Sequence, residues 1–149
     1  KKMTNKPLGE LLIERGMINR EELEMTLNYQ KERGGLLGDI LVELKFAVEE
    51  DIAQALTCQY GFPYLPLSNY EIDSDVIDVV PENVCRQFCL IPIDKIGKSL
   101  TMAMADPLNV QAIEDVELLT GCSVQTFVST PTDIKNSIDK YYQTKSCSP

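Results

Sequence analysis

The chain has 149 residues, 44% of them hydrophobic and 25% charged, a length for one average domain or two small ones with the make-up of a folded globular protein. A net charge of −9 repels phosphate backbones and argues against DNA or RNA as a partner. With no histidine, every Ser-His-Asp or Cys-His arrangement and every imidazole-dependent zinc site is excluded. No run of 18 apolar residues and no basic-then-apolar leader is present, so membrane contact is expected to be indirect.

An internal repeat organises the first 60 residues. Leu8 to Gln30 overlays Leu37 to Gln59 with a shift of 29, and seven of 23 positions are identical, among them Leu8/Leu37, Gly9/Gly38, Leu12/Leu41, Leu27/Leu56 and Gln30/Gln59. Each copy reads as a short helix, a turn and a longer helix. In the first, Leu8, Leu11, Leu12 and Arg15 fall at helical spacing and Gly16 stops the helix in a left-handed cap. Asn19 caps the next helix with Glu22 completing a capping box, and Leu23, Leu27 and Gln30 form its stripe. Two such hairpins make four helices, divided by Gly34-Gly35 and closed by GFPYLPL at 61–67.

Beyond Pro66 the pattern changes. LIPIDKI at 90–96 and LTMAMA at 100–105 predict two strands joined by a tight connection. Asp106-Pro107 predicts a capped helix from about Leu108 to Thr120, stopped by Gly121, and Val124 to Val128 predicts a third strand. The two strands flanking that helix are expected to be parallel neighbours. Thr130-Pro131 opens a last helix with Ile134, Ile138, Tyr141 and Tyr142 on its apolar face, and TKSCSP at 144–149 reads as the start of a linker. The expected architecture is therefore α+β: a four-helix subdomain over 1–63, then a small three-stranded α/β subdomain over 64–143. Charge is uneven, with eight cations against eleven anions up to Pro63 and six against twelve after it. A small anionic ligand thus fits the first part better than the second.

Several features were weighed for chemistry. Gly97-Lys98-Ser99 imitates a phosphate-binding loop, but position 92 is Pro and a strand follows, so nucleotide hydrolysis is not expected here. Cys85 and Cys89, four apart, would share a helix face. With five cysteines (Cys58, Cys85, Cys89, Cys122, Cys147) and no CxxC, reduced packing thiols are favoured over a metal site. Gly9 and Gly38 each sit in the opening of a predicted helix, where glycine costs on the order of 1 kcal/mol relative to alanine. Close helix packing is the favoured compensation; the alternative is a flat ligand lying against bare backbone. Gln30 and Gln59 end the long helices at equivalent positions, where an amide suits a base edge or phosphate oxygen as well as water. No pair of acids is placed for general acid/base work, so no catalytic residue is assigned.

The doubled LGxxL…L…L..Q pattern, QYGFPYLPL, LTMAMADPLN, AIEDVELLTGCSV and PTDIKNSIDKYY together resemble the N-terminal domain of type II secretion and type IV pilus assembly ATPases, the GspE N-terminal or MshEN-like domain, over about Pro7 to Gln143. The resemblance implies a non-catalytic regulatory and docking domain ahead of a hexameric ATPase motor. It implies a cytoplasmic protein, peripheral to the inner membrane, docking on the cytoplasmic domain of a platform protein there. ATP and Mg²⁺ are then expected only in the motor. For some members of that family the resemblance implies cyclic di-GMP as a ligand, here held by Leu8, Gly9, Leu12, Leu23, Leu27 and Gln30 in one half-site and Leu37, Gly38, Leu41, Ile52, Leu56 and Gln59 in the other; docking on the platform protein without any nucleotide is the alternative, and an independent enzyme acting on a small substrate the remote one. Where the resemblance expects an arginine before the first Leu-Gly, this chain has Pro7, with Leu36 in the second copy. Losing a guanidinium that stacks on a base costs about 1–3 kcal/mol. Lys6, Lys31 and Arg33 are the nearby cations, and lysine does not stack as a planar guanidinium does.

Overall fold

The computed structural model describes residues 6–146. The repeat folds as two helical hairpins: α1 (Lys6–Glu14) with α2 (Arg20–Arg33), and α3 (Leu37–Glu43) with α4 (Glu49–Tyr60). Asn19 Oδ1 accepts the Glu22 N–H at 2.7 Å while Glu22 Oε1 accepts the Asn19 N–H at 3.0 Å, so the expected capping box is formed. Its counterpart in the second copy, Val48, offers no side-chain cap, and three acids in the first turn of α4 complement the helix dipole instead.

The turns inside the two hairpins are the same object. Gly16 has φ 77° and Lys45, its equivalent, has φ 67°. The Gly16 N–H bonds to Ile13 O at 3.0 Å and Met17 N–H to Leu12 O at 2.9 Å; the Lys45 N–H bonds to Val42 O at 3.0 Å and Phe46 N–H to Leu41 O at 2.9 Å. A left-handed residue is therefore demanded at both positions, and only the first copy supplies glycine.

The second part carries a three-stranded sheet in the order β1-β2-β3. Strand β1 (Leu90–Ile96) runs antiparallel to β2 (Ser99–Met104) with an irregularity between Pro92 and Asp94, and β2 runs parallel to β3 (Ser123–Val128). The connection is a helix, named α7 (Val110–Thr120) in chain order, as the parallel pairing requires. This helix starts two residues later than Asp106-Pro107 suggested. Asp106 Oδ1 accepts the Leu108 N–H at 3.1 Å in a turn of its own, and Asn109 is the true cap, its Oδ1 accepting from Ala112 N–H at 3.3 Å. Between Pro66 and β1 lie a single 3₁₀ turn (Leu67–Asn69) and two short helices, α5 (Ser74–Ile77) and α6 (Glu82–Phe88), none of which the sequence reading assigned. Helix α8 (Pro131–Ser146) closes the fold and is capped by Thr130, whose Oγ1 accepts from the Asp133 N–H at 3.2 Å. Positions 144–146 of the expected linker thus continue α8, and 147–149, with Cys147, lie outside the described residues.

Two hydrophobic clusters result. One gathers the leucines of the doubled hairpins; the other surrounds β1, β2, α7 and α8. They interlock: Val128 at the end of β3 belongs to the helical cluster, while Leu36, between the hairpins, packs on the sheet cluster. Two tyrosines of α8 tie down the short-helix segment. Tyr141 Oη accepts the Ile72 N–H at 3.0 Å, and buried Tyr142 Oη reaches the carbonyls of Ile77 (2.9 Å) and Val80 (2.6 Å). Lys45→Gly removes a left-handed cost of about 1–2 kcal/mol and adds unfolded-state entropy of about 0.5–1 kcal/mol. It should stabilise the chain by about 0.5–1 kcal/mol, read as a melting temperature higher by about 2 °C. An unchanged or lower melting temperature would contradict the shared-turn account.

Candidate functional site

Of the twelve residues singled out by the repeat, the eight apolar ones gather as a core. Leu8, Leu12, Leu37, Leu41 and Leu56 have no exposed surface, and Leu23 and Ile52 are buried. Leu27 is half-buried against the same cluster. Their side chains from α1, α2, α3 and α4 meet across the hairpins, as an apolar stripe at helical spacing does by default. Gln30 Nε2 donates to Gly35 O at 2.9 Å, so its amide clamps the link between the copies, whereas Gln59 is exposed.

The two glycines part company. A Cβ on Gly9 would lie 2.6 Å from Leu23 Cδ1, and Leu23 is buried: α1 comes so close to α2 that any side chain there would have to displace Leu23. A Cβ on Gly38 would meet Leu8 Cδ2 at 3.7 Å, an ordinary contact. Close packing is therefore the reason for Gly9, and Gly38 has no such requirement. Gly38 instead borders, with Leu8 and Leu36, a cavity of about 20 Å³ where the helical hairpins face Ala105, Ser129 and Pro131. Room for about one water remains there.

Beside that cavity opens a groove of about 490 Å³, between the end of α2, α3 and the start of α8. Arg33 lies 5.1 Å over the Tyr29 ring, and Tyr29 Oη donates to Glu43 Oε2 at 3.1 Å. Lys135 Nζ pairs with Asp39 at 3.4 Å. Glu49 accepts both the Thr132 N–H (3.1 Å) and the Thr132 hydroxyl (2.7 Å), and so caps α8 from another helix. Two cations thus face three carboxylates, Asp39, Glu43 and Glu49, on walls that belong to both clusters. Such a balance does not attract a dianion; it suits a neutral or mixed-charge surface. Apart from Arg33, these residues escaped the sequence reading, although the Tyr29 to Arg33 spacing of one helical turn was a visible signal.

The cysteines behave as packing groups at three of the four described positions. Cys85, Cys89 and Cys122 are buried and Cys58 is exposed. Burial pushes the Cys85 and Cys89 thiols up to about 12, so both stay protonated. Cys89 lies one residue past α6 with φ 54°, so the expected shared helix face with Cys85 does not form. Among the described residues there is no cluster of three or more metal-ligating side chains, and no helix is long and apolar enough to cross a membrane.

Paired helical hairpins are followed by a three-stranded sheet with one parallel crossover. The chain belongs to the MshEN domain family, whose profile matches residues 60–146. That match covers the sheet part; the doubled hairpins are covered by wider likenesses. The chain is 33% identical over 138 residues, 93% of its length, to the type IV pilus assembly ATPase PilB of Myxococcus xanthus, and spans 24% of that protein. It resembles the structure of MshE with cdg, an abbreviation for cyclic di-GMP, at 30% identity and a TM-score of 0.66, covering 95% of this chain and 100% of that one. It also shares the fold of the N-terminal domain of XpsE, at 22% identity and a TM-score of 0.73, over 95% of this chain and 98% of that one.

Alanine at the two glycines separates packing from propensity. At Gly38 it should stabilise the chain by about 0.5–1 kcal/mol through helix propensity. At Gly9 overpacking of about 1–3 kcal/mol outweighs that gain, leaving a net loss of about 1 kcal/mol. Urea denaturation measures both, and equal effects at the two positions would refute the asymmetry.

Proposed function

We propose that this domain is a regulatory and docking module carried ahead of an ATPase motor in a type IV pilus or type II secretion machine. In this reading it lies in the cytoplasm and meets the inner membrane only through the cytoplasmic domain of a platform protein, while ATP and Mg²⁺ belong to the motor. One observation carries it: 93% of the chain aligns within a pilus assembly ATPase of which it makes up 24%. The geometry supports contact with protein over catalysis or nucleotide capture. The repeated leucines are spent on holding four helices together, and what the hairpins turn outward is polar, acidic and locally aromatic.

Cyclic di-GMP binding is the second reading, favoured by the likeness to MshE with cdg. It requires the two half-sites to act with Pro7 and Leu36 in place of arginine, with Gln30 released from Gly35, and with the anion tolerated beside Asp39, Glu43 and Glu49. Those requirements weigh against it.

The two readings are separated by two measurements. Co-expression with the cytoplasmic domain of the platform protein from the same operon should yield a complex that survives size-exclusion chromatography, and a lone peak for each chain would end the docking reading. Calorimetric titration with cyclic di-GMP should stay flat at about 100 µM ligand. Heat with a micromolar constant, lost in Gln30→Ala, would install the nucleotide reading instead.

A further inference from the structure

Helix α4 turns a row of polar side chains away from the leucine core. Glu50, Gln54 and Thr57 stand at i, i+4 and i+7 on one face, and with Ala53 and the Tyr64 ring they line an open groove of about 330 Å³. None of its walls is shared with the groove beside Gly34 and Gly35. The first copy has no equivalent, since Gln54 corresponds to Met25 and Thr57 to Asn28, so the groove is not a by-product of the duplication.

Its chemistry is specific. Tyr64 is 44% exposed, yet its backbone is pinned: Tyr64 bridges to Val128, the Val128 N–H donates to Pro63 O at 2.8 Å and the Leu65 N–H to Val128 O at 2.9 Å. The backbone that carries the ring is thus fixed at the edge of the sheet. Burial raises the Tyr64 phenol above its ordinary value, and the carboxylates of Asp133 and Glu50 raise it further, so the field around the ring is negative. Glu50 takes part in none of the ion pairs found among the described residues. Thr57 Oγ1 is buried, so Thr57 borders the groove without offering it an acceptor. A carboxylate, an amide oxygen and an aromatic face are all acceptors of positive charge or of N–H donors. An anion is repelled there, and a purely apolar occupant would strip water from Glu50. A guanidinium, planar and carrying five donors, answers every one of these groups.

We propose that the groove between α4 and Tyr64 is a receptor for an arginine side chain of a partner protein, with Tyr64 as stacking platform, Glu50 as charged acceptor, and Gln54 as a further acceptor. The proposal names a contact within the docking reading and rests on it. A chain of net charge −9 selects a basic partner surface in general, and the groove converts that attraction into a defined contact.

The test is an NMR titration of the full chain with a blocked Gly-Arg-Gly peptide, its lysine twin and its citrulline twin, which has the same shape without the charge. Arginine should shift the amides of residues 50–57 and 64, citrulline should not, and lysine should bind about threefold to fivefold more weakly for want of stacking. Glu50→Gln and Tyr64→Ala should each weaken arginine about threefold to fivefold, while Tyr64→Phe, which keeps the ring, retains it. Equal shifts with citrulline, lysine binding as well as arginine, shifts scattered over the acidic surface, or wild-type affinity in both weakening variants would each overturn the proposal. A platform domain that co-purifies with Glu50→Gln and Tyr64→Ala as it does with the wild type would overturn this site and leave docking standing. Failure of the wild type to co-purify would end the docking reading, with the peptide titration still deciding the groove.

Discussion

Helices of nine and seven residues, α1 and α3, are too short to persist alone in water, and each acquires stability only by laying its leucines against the other hairpin. Leu8 and Leu12 from one copy and Leu37 and Leu41 from the other are sealed completely, and each buried leucine contributes about 1.5–3 kcal/mol relative to exposure. This mutual closure sets the rest of the helical part. It brings α1 so near α2 that any side chain at position 9 would have to displace Leu23, and it holds both inner turns in one left-handed geometry although the second copy supplies lysine there. It also turns α4 so that Glu50 and Gln54 face outward.

The sheet part is joined to this bundle by a thin set of well-directed contacts. Val128 inserts into the leucine cluster, the Pro63–Leu65 segment hydrogen-bonds alongside it, and Ser129 Oγ donates to Leu65 O at 2.8 Å. Glu49 caps α8 across the joint, and Lys135 reaches Asp39. Exposed pairs such as Lys135 with Asp39 contribute little to stability. Their value lies in orientation, because they set how the groove at Gly34 and Gly35 is shaped.

Within this member of the MshEN family the repeated motif is largely buried. Its leucines are inside, one of its glutamines is engaged with backbone, and the surfaces left for recognition are the mixed-charge groove and the acidic face beside Tyr64. Neither groove gathers an excess of positive charge, so electrostatics do not favour a dianion at either.

Periodicity and punctuation settled much of this from the amino-acid order alone. A duplication of 23 residues can only mean two like units, Asn19 with Glu22 can only open a helix efficiently, and LIPIDKI, LTMAMA and SVQTFV alternate or run apolar as strands do, so α1 to α4 and all three strands were legible within a residue or two. The short helices between Pro66 and β1 were not, because four to seven residues are fewer than two turns and carry no period; they exist through Tyr141 and Tyr142 of α8, some 60 residues away. The same limit applied to the site. Residue type could not say whether Gly9 and Gly38 bare their backbone to a helix or to a ligand, since that depends on how far apart two helices come to rest. Only the packed structure put Leu23 on Gly9, left Gly38 with room, and stood Tyr64 beside Glu50, because distances between elements are decided by how side-chain volumes fill a shared interior.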